Sequence, residues 1–318
     1  MIDIIDFSSW AVADSYTTSG RSSKKWLSDK EHIGLFKYPK SLETTEPASE
    51  KIAEMLAAKI GLPCSRIDIG ILNGDIGSFS YLINNSSENE DLTEGVVFIT
   101  APYPDYDVNK LICQNTREPY SIEMVMNTFN YLAEIVMPEE NRELAKQQFF
   151  PKMKRDFLNI LIFDALIGNS DRHHSNWAIL TKQGESRMYL RGIAPIYDNG
   201  SSLCAYESEE GAKQSRIDNN KMRAIIQTKS KAIIRLDNLS TRRPTHMQVL
   251  KYIKDNFSKE LGGFEIVDKI MEVLSPEVFR DILSEFPNTL LSDEKKELIA
   301  HFLSVRQQLI FDIFYEEG

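Results

Sequence analysis

Asp171, Asn176 and Asp198 are of the side-chain types that hold metal ions and handle protons. Asp171 and Asn176 lie five positions apart, directly after an apolar run that ends at Gly168. In phosphoryl transfer, one carboxylate positions or deprotonates the attacking hydroxyl, and an amide oxygen and a second carboxylate hold metal ions against nucleotide phosphates. The three residues occur in that order, so they predict a phosphoryl-transfer site.

The same loop has a structural alternative, an Asx-rich surface turn that caps the next element. The spacing D-x-x-x-x-N alone arises by chance in chains of this length. Here, however, the loop reads Asp-x-His-x-x-Asn and is followed by an apolar segment, Leu190 to Ile196, that predicts a strand, and then by Asp198-Asn199-Gly200. This combination is rarer than the spacing and favours the catalytic interpretation.

Two adjacent histidines, His173 and His174, raise the question of a metallohydrolase. Such sites need a His-Asp dipeptide, H-x-x-x-H or H-E-x-x-H, and none of the 5 histidines occurs in such a motif. We interpret His173 as a catalytic-loop residue that supports the loop by hydrogen bonding. His174 is expected to be exposed.

Lys37 ends the apolar segment Gly34-Leu35-Phe36-Lys37, which predicts a strand. A kinase needs a lysine in this place to hold the α- and β-phosphates, and a glutamate on the following helix holds that lysine. Glu50 is the candidate partner, and Glu54, one turn further on, is the fallback. Taken alone, Lys37 would be an ordinary strand-end lysine whose stem covers apolar surface.

The segment before that strand, Thr18 to Lys25, contains small hydroxyl side chains, Gly20 and the three cations Arg21, Lys24 and Lys25. Backbone N–H groups of such a loop could cover phosphates, so Gly20, Arg21, Ser22 and Ser23 are candidate nucleotide-binding residues. A solvated basic turn is the alternative. The chain has no G-x-G-x-x-G or G-x-x-x-x-G-K-[ST] motif, and a Rossmann or P-loop site therefore lacks its key sequence.

Hydrophobic periodicity predicts the elements that position these residues. In the first third we expect a five-stranded sheet with one helix, within residues 1–83. Four of the strands are assigned to residues 26–27, 33–37, 67–72 and 76–83, and the helix to residues 49–60. The remainder, residues 84–318, is predicted to be mainly helical. Helices are expected over 156–167, from Pro138, from Ser275, and from Ser292 to about Tyr315.

The bulk composition restricts the partners. The net charge is -10, from 47 acidic and 37 basic residues of 318, which argues against broad nucleic-acid binding. The 3 cysteines share no C-x-x-C spacing, and reduced thiols are expected. The acidic start of the chain and the absence of a long apolar segment predict a cytoplasmic protein with no membrane partner.

With these residues in place, the chain resembles the HipA-like kinases, a bacterial serine/threonine kinase family. The matching segments occur in family order and lie within residues 19 to 203. They are 19–27, Leu35-Phe36-Lys37, Ser49-Glu50-Lys51-Ile52-Ala53, 167–177 and 193–203. The catalytic segment is highly specific, and the glycine loop is less so.

The resemblance implies an α+β, two-lobed, protein-kinase-like fold with a small β-rich N-lobe and a large, mostly α-helical C-lobe. It implies ATP and Mg²⁺ as cofactors, with Asp171 as the catalytic aspartate, Asn176 and Asp198 as metal ligands and Lys37 on the nucleotide phosphates. Adenine would be held by a hinge over residues 80–84; its candidate residues are Ser80, Leu82 and Asn84.

The resemblance also implies regulation and partners. Members often phosphorylate a serine of their own glycine loop, a position that Ser19 occupies, with Ser22 and Ser23 nearby. The family includes toxins that act on aminoacyl-tRNA synthetases and pair with a helix-turn-helix antitoxin, so a translation factor is the expected protein substrate.

Full-length HipA toxins carry a further N-terminal module before the kinase loop, which this sequence lacks, and the expectation is therefore a stand-alone or shortened toxin kinase. Two alternatives stay open: a lipid or small-molecule kinase, and a nucleotide-binding pseudokinase that docks a partner.

Overall fold

The computed structural model describes residues 1–14, 23–84, 88–108, 120–136, 139–185 and 188–316. Within these ranges a twisted sheet occupies the first part of the chain, and helices make up most of the rest. This is the α+β class expected from the sequence, which is thereby confirmed.

The first sheet carries Lys37. Its strands are β1 Ile4–Asp6, β2 Ala11–Val12, β3 Lys24–Ser28, β4 Ile33–Lys37, β5 Ile67–Leu72 and β6 Asp75–Tyr81. They lie in the order β1-β5-β6-β4-β3-β2 and are antiparallel apart from the parallel pair β1 and β5. The predicted count of five strands was wrong, since the described residues form six. β1 and β2 have only 3 and 2 residues, too few to show an alternating pattern.

The hairpin between β5 and β6 follows the Asn-Gly signal. Asn73 and Gly74 have φ angles of 54° and 95°, both in the left-handed region that a tight hairpin turn of this kind requires. β6 ends at Tyr81, two residues before the predicted end, where the chain leaves the sheet.

Helix α1, Glu46–Lys59, connects β4 to β5 and buries Ile52, Ala53, Leu56 and Ala57. It begins before the predicted Ser49 because Pro47 lies in its first turn, where proline's missing N–H group is not needed. The same helix carries Glu50 into the interior.

The helical part is built around one long buried helix, α5. The helix bounds are α2 Gly95–Ile99, α3 Ile122–Ile135, α4 Glu139–Leu144, α5 Phe150–Ile167, α6 Glu209–Ile217, α7 Asn219–Ala224, α8 His246–Leu261, α9 Glu265–Val273, α10 Pro276–Ser284 and α11 Asp293–Tyr315. π-helical turns, Ala145–Phe149 and Ile225–Lys229, precede α5 and follow α7. α5 packs against α3, α8 and α11.

The predicted starts of α10 and α11 are confirmed. The hydroxyls of Ser275 and Ser292 accept hydrogen bonds from the N–H groups of Val278 and Lys295, as N-cap serines do. Pro138, the other predicted start, lies outside the described residues, and α4 is described from Glu139.

A second, antiparallel sheet contributes two of its strands to the stretch of chain between the catalytic loop and Asp198. It consists of β7 Glu90–Glu94, β8 Ala178–Gln183 and β9 Met188–Ile193. The predicted strand from Leu190 to Ile196 had the wrong bounds, since β9 begins at Met188 and ends at Ile193. In the part of the chain that is described, no helix is long and apolar enough to cross a membrane.

Candidate active site

The catalytic loop begins where α5 ends. Gly168 adopts a φ of 69°, and a Cβ atom there would lie 2.6 Å from the Phe302 ring, so the chain can turn sharply only with glycine. The loop therefore starts from a buried, rigid position. Asp171 and Asn176 follow within the next eight residues.

Hydrogen bonds to the Asp171 backbone hold Asp171 and Asn176 together. The Asp171 carbonyl accepts hydrogen bonds from the Asn176 side-chain Nδ2 at 2.7 Å and from the His173 N–H group at 2.7 Å. The Asp171 N–H group donates to Oδ1 of Asn169 at 3.0 Å. The two predicted functional residues are thus parts of one turn.

Arg172 ties this turn to the loop that carries Asp198. It is 2% exposed, and its Nε and Nη2 atoms contact the Asp164 carboxylate at 2.9 and 2.8 Å. Its Nη1 donates to the carbonyls of Asn176 and Tyr197 at 2.7 and 2.6 Å, and its Nη2 donates to Oδ1 of Asn199 at 2.6 Å. Burial alone would lower the pKa of Arg172, but Asp164 outweighs it and the pKa lies above its ordinary value.

Sequence reasoning missed Arg172. The available signal was Asp164, a carboxylate inside an apolar helix, because a buried charge requires a partner.

Lys37 joins the first sheet to the Asp198 loop. Its Nζ lies 3.0 Å from Oε1 of Glu50 and 2.9 Å from Oδ1 of Asp198. The side chains of Lys37 and Glu50 are 17% and 3% exposed. Burial alone would lower the pKa of Lys37, but the two carboxylates outweigh it and hold the pKa above its ordinary value. Lys37 is therefore a fixed cation.

Glu50 uses its second oxygen as well. Its Oε2 accepts a hydrogen bond from the Asn199 N–H group at 2.9 Å. The fallback residue, Glu54, instead pairs with Lys51 at 2.9 Å. Of the two candidate glutamates, the structure brings Glu50 to Lys37.

The two aspartates of the site have opposite pKa shifts. Burial, together with the charge of Asp198, raises the pKa of Asp171 against the opposing effects of His173, Lys40 and Arg243. For Asp198, burial would raise the pKa, but Lys37 outweighs it and lowers the pKa to about 2. Environments that push the pKa values of two carboxylates apart assign them different chemical roles.

Asn176 and Asp198 have the donor chemistry that Mg²⁺ takes. Because the Asn176 amide nitrogen is used in the bond to Asp171, its amide oxygen is the atom that can face a metal. The Asp198 side chain is 44% exposed although one of its oxygens contacts Lys37. Its backbone φ of 57° is left-handed, a conformation that aspartate tolerates better than most residues. Oxygen ligands of this kind fit magnesium.

The two histidines are part of the loop's support. Nδ1 of His173 accepts a hydrogen bond from the Ser175 N–H group at 3.1 Å. His174 is 5% exposed and its Nδ1 lies 2.8 Å from the Tyr106 hydroxyl, so the expectation that it is exposed was wrong. Burial, with a contribution from His173, lowers the pKa of His174 to about 4. His174 is therefore a neutral core residue. The polar sequence around it gives no sign that its side chain is buried.

Only some of the residues predicted to bind nucleotide lie within the described part of the chain. Ser19, Gly20, Arg21 and Ser22 lie outside the described residues, and Ser23 accepts a hydrogen bond at its carbonyl from the Tyr38 N–H group at 3.1 Å.

The predicted hinge, residues 80–84, begins in the last two residues of β6. Ser80 lies inside the sheet between β4 and β5, and the Leu82 N–H group donates to the Ile33 carbonyl at 2.9 Å, so this N–H group is not available to a base. The Asn84 side chain donates to the Glu90 carbonyl at 2.7 Å.

Comparison with curated proteins finds a kinase. No protein-family model matches the chain. The serine/threonine-protein kinase CtkA of Helicobacter pylori is 28% identical over 164 residues, which cover 49% of this chain and 49% of CtkA. In sequence, the chain thus spans about half the length of the curated relative that it matches.

Comparison with solved structures extends the likeness to the fold. The crystal structure of the H. pylori proinflammatory kinase CtkA matches with a TM-score of 0.75 at 17% identity, over 98% of this chain and 97% of that chain. HipA, from a Shewanella oneidensis complex of HipA, HipB and operator DNA, matches with a TM-score of 0.52 at 15% identity, over 95% of this chain and 68% of that chain. The chain is thus similar in sequence to part of CtkA and shares its fold with CtkA and HipA.

Proposed function

We propose that this chain is an ATP-dependent serine/threonine protein kinase. One observation carries the proposal: Lys37 lies within 3.0 Å of both Glu50 and Asp198, beside a loop that presents Asp171 and Asn176. Kinases use this arrangement for phosphoryl transfer. Its similarity to CtkA supports the same activity.

The roles of the residues follow from their charges and contacts. Lys37, a fixed cation, holds the nucleotide phosphates and is itself held by Glu50. Asp171 orients the acceptor hydroxyl and accepts its proton, for which a raised pKa suits a carboxylate. Asn176 and Asp198 would hold Mg²⁺, which when bound neutralises the phosphate charge. His173 supports the loop without contacting the reacting atoms.

The test is a phosphorylation assay with Mg-ATP and a bacterial lysate, read by mass spectrometry. The wild-type chain is expected to phosphorylate serine or threonine on itself or on a lysate protein. Lys37→Met and Asp171→Ala are expected to lower the rate by at least 100-fold, whereas Lys30→Met, an exposed lysine in the turn between β3 and β4, is not. Full activity in Asp171→Ala would contradict the assignment.

We further propose that the residues preceding β3 form the phosphate loop and carry the autophosphorylation sites, Ser19, Ser22 and Ser23. Ser23 is exposed, as an acceptor must be. Peptide mapping of protein purified with and without Asp171→Ala tests this. Phosphate on these serines in wild type alone supports it, and none in either sample contradicts it.

We also propose a toxin-like role in the cell. The chain would phosphorylate a translation component, such as an aminoacyl-tRNA synthetase, in the cytoplasm, and a helix-turn-helix antitoxin would counter it. Its support is the fold shared with HipA, whose structure contains HipB and operator DNA. Expression is expected to arrest bacterial growth, and Asp171→Ala to relieve the arrest. Arrest by both forms would overturn the proposal.

The boundary between the two proposed lobes is placed after residue 83. It rests on β6 ending at Tyr81 and on the first sheet using no later strand among the described residues. Limited proteolysis that cuts near residue 84 and leaves two protected pieces would agree with it, and protection of that region with cuts elsewhere would not.

A further inference from the structure

Two arginines, Arg235 and Arg243, lie on a well-fixed segment between α7 and α8. The Arg235 N–H group donates to the Tyr120 carbonyl at 2.8 Å, and the Ile122 N–H group donates to the Arg235 carbonyl at 3.0 Å. On the other side of the segment, the Ala232 N–H group donates to the Pro244 carbonyl at 3.0 Å. Both arginines therefore project from a pinned backbone.

Arg243 reaches the catalytic loop. Its Nη2 donates to the carbonyl of Ser170, the residue before Asp171, at 2.6 Å and to the Lys231 carbonyl at 2.6 Å, while its Nε donates to the Ala232 carbonyl at 3.1 Å. These neutral acceptors orient the guanidinium but do not balance its charge. The nearby Asp171 carboxylate raises the pKa of Arg243, although burial outweighs it and the net shift is downward.

Arg235 is the less satisfied of the two. Its Nε and Nη1 atoms are enclosed and have no hydrogen-bond partner among the residues that the structure describes, yet the side chain as a whole is half-buried and can be reached from solvent. Burial lowers the pKa of Arg235, and its charge also acts on Arg243. An arginine cannot lose its proton at physiological pH, so enclosed N–H groups of this kind require an acceptor.

An anion would satisfy these donors. A guanidinium presents a planar pair of N–H groups that matches a carboxylate or a phosphate in a bidentate arrangement. Asp171 is close enough to influence Arg243, but in the proposed reaction its carboxylate faces the acceptor hydroxyl. Asp171 is the carboxylate that acts on Arg243, and burial is the cause of the shift at Arg235, so this pair of arginines keeps an excess positive charge.

We propose that Arg235 and Arg243 bind an acidic side chain of the protein substrate, next to the serine or threonine that faces Asp171. The anion is an Asp or Glu carboxylate or a phosphate already on the substrate. The inference rests on the proposed kinase function, whose acceptor it describes: a hydroxyl with a negative charge close by in the substrate.

The experiment uses arrayed serine peptides with Asp, Glu, phosphoserine or Ala at each position flanking the acceptor. At one or two positions, the acidic peptides are expected to show at least a tenfold higher kcat/KM than the Ala peptide. Arg235→Gln is expected to bring this ratio close to one. The matched control is Arg242→Gln, because Arg242 is exposed and next to Arg243 in the chain; it is expected to keep the ratio.

Arg235→Gln is the main variant because its side chain makes no described hydrogen bond whose loss would disturb the fold. Equal kcat/KM for acidic and Ala peptides in wild type would overturn the inference while leaving the kinase function intact. A wild-type acidic preference that survives in Arg235→Gln and in Arg243→Gln would overturn it as well.

A binding measurement separates this inference from the kinase proposal. Fluorescence anisotropy of a labelled acidic peptide, without ATP, is expected to show binding that Arg235→Gln weakens at least tenfold and Arg242→Gln does not. If no peptide is phosphorylated but this binding occurs, the anion site stands and the kinase function fails. If peptides are phosphorylated but acidic and Ala peptides bind equally, the kinase function stands and the anion site fails.

Discussion

At the scale of single residues, the negative charges of Asp171 and Asp198 have opposite effects on the free energy of folding. Asp198 is paired with Lys37, and its pKa is lowered to about 2, whereas the pKa of Asp171 is raised by burial. A carboxylate whose pKa is raised in the folded state is less favourable there, in its charged form, than in the unfolded chain. Asp171 therefore opposes folding at neutral pH.

We predict that Asp171→Asn raises the free energy of unfolding at pH 7 while it abolishes phosphorylation. The gain is expected to shrink as the pH falls through the raised pKa, because the wild-type carboxyl then becomes neutral. Thermal unfolding at several pH values measures this.

Asp198→Asn is the contrasting variant. The stabilising charge of Asp198 is present above pH 3.8, the pKa of an aspartate in the unfolded chain, and is lost as the pH falls towards 2. Removal of this charge is therefore expected to destabilise the fold modestly at pH 7. Loss of stability in both variants would contradict the difference between the two aspartates.

Residue types and spacing were enough to single out Lys37, Glu50, Asp171, Asn176 and Asp198 as candidates, because phosphoryl transfer restricts each to one or two side chains; the structure pairs Lys37 with Glu50 and Asp198, and Asn176 with Asp171. Lys40, Arg235 and Arg243 escaped prediction. Lys40 and Arg243 act on Asp171, and Arg235 acts on Arg243, from positions far from Asp171 in the chain, and no local pattern distinguishes these three from surface cations.

At the scale of elements, the end of α5 decides where the catalytic loop starts. Gly168 combines a φ of 69° with the Phe302 ring 2.6 Å from where a Cβ would lie. We predict that Gly168→Ala costs about 1–3 kcal/mol for the backbone alone, and more because Phe302 must move. Chemical denaturation measures the change.

Gly61→Ala is the matched control for this prediction. Gly61 has nearly the same φ, 67°, but no atom of the described residues lies within 4 Å of the added Cβ. It should therefore show the backbone cost alone. Equal costs for the two variants would mean that the contact with Phe302 has no effect.

The Arg172 contacts fasten the catalytic loop to the Asp198 loop, and their removal should affect both. We predict that Arg172→Met destabilises the fold by about 3–5 kcal/mol, because Asp164 is left as an unpaired charge at 4% side-chain exposure. The double variant Asp164→Leu/Arg172→Met should recover part of that loss. Additive losses in the double variant would show that the two residues are not coupled.

At the scale of the whole molecule, the proposed nucleotide site spans elements from distant parts of the chain. Lys37 comes from β4, Glu50 from α1, and Asp198 from the loop after β9, 161 residues away from Lys37 in sequence. Ligand binding to such a site stabilises the entire fold, since the unfolded chain cannot bring these residues together.

We predict that Mg-ATP at 100 times its Kd stabilises the wild-type chain by about 2.7 kcal/mol, seen as a higher Tm. Lys37→Met should lose most of the shift at the same nucleotide concentration, whereas Lys30→Met should keep it. Chelation of Mg²⁺ by EDTA should reduce the shift in wild type. A shift that is equal in Lys37→Met and wild type would contradict the phosphate-binding role of Lys37.

The fold class was predictable because long periodic segments determine it, as in α5 and α11. The strands β1, β2 and β7 were not, since β1 and β2 have only 3 and 2 residues and β7 pairs with a segment distant in the chain. β7, for instance, pairs with β8 across more than 80 positions, and its sequence, Glu-Asp-Leu-Thr-Glu, is mostly polar. Tertiary context overrides local propensity in such strands.

Glu50 divides its carboxylate between a strand and a loop: one oxygen contacts Lys37 of β4 and the other the backbone of Asn199. Both bonds depend on the position of α1, so a small rotation of this helix would weaken them in the same event. Because both bonds depend on one helix, states in which only one of them is formed would be rare. The residues that hold the phosphates and those that hold the metal would engage together, and activity would rise steeply, rather than gradually, as α1 moves into place.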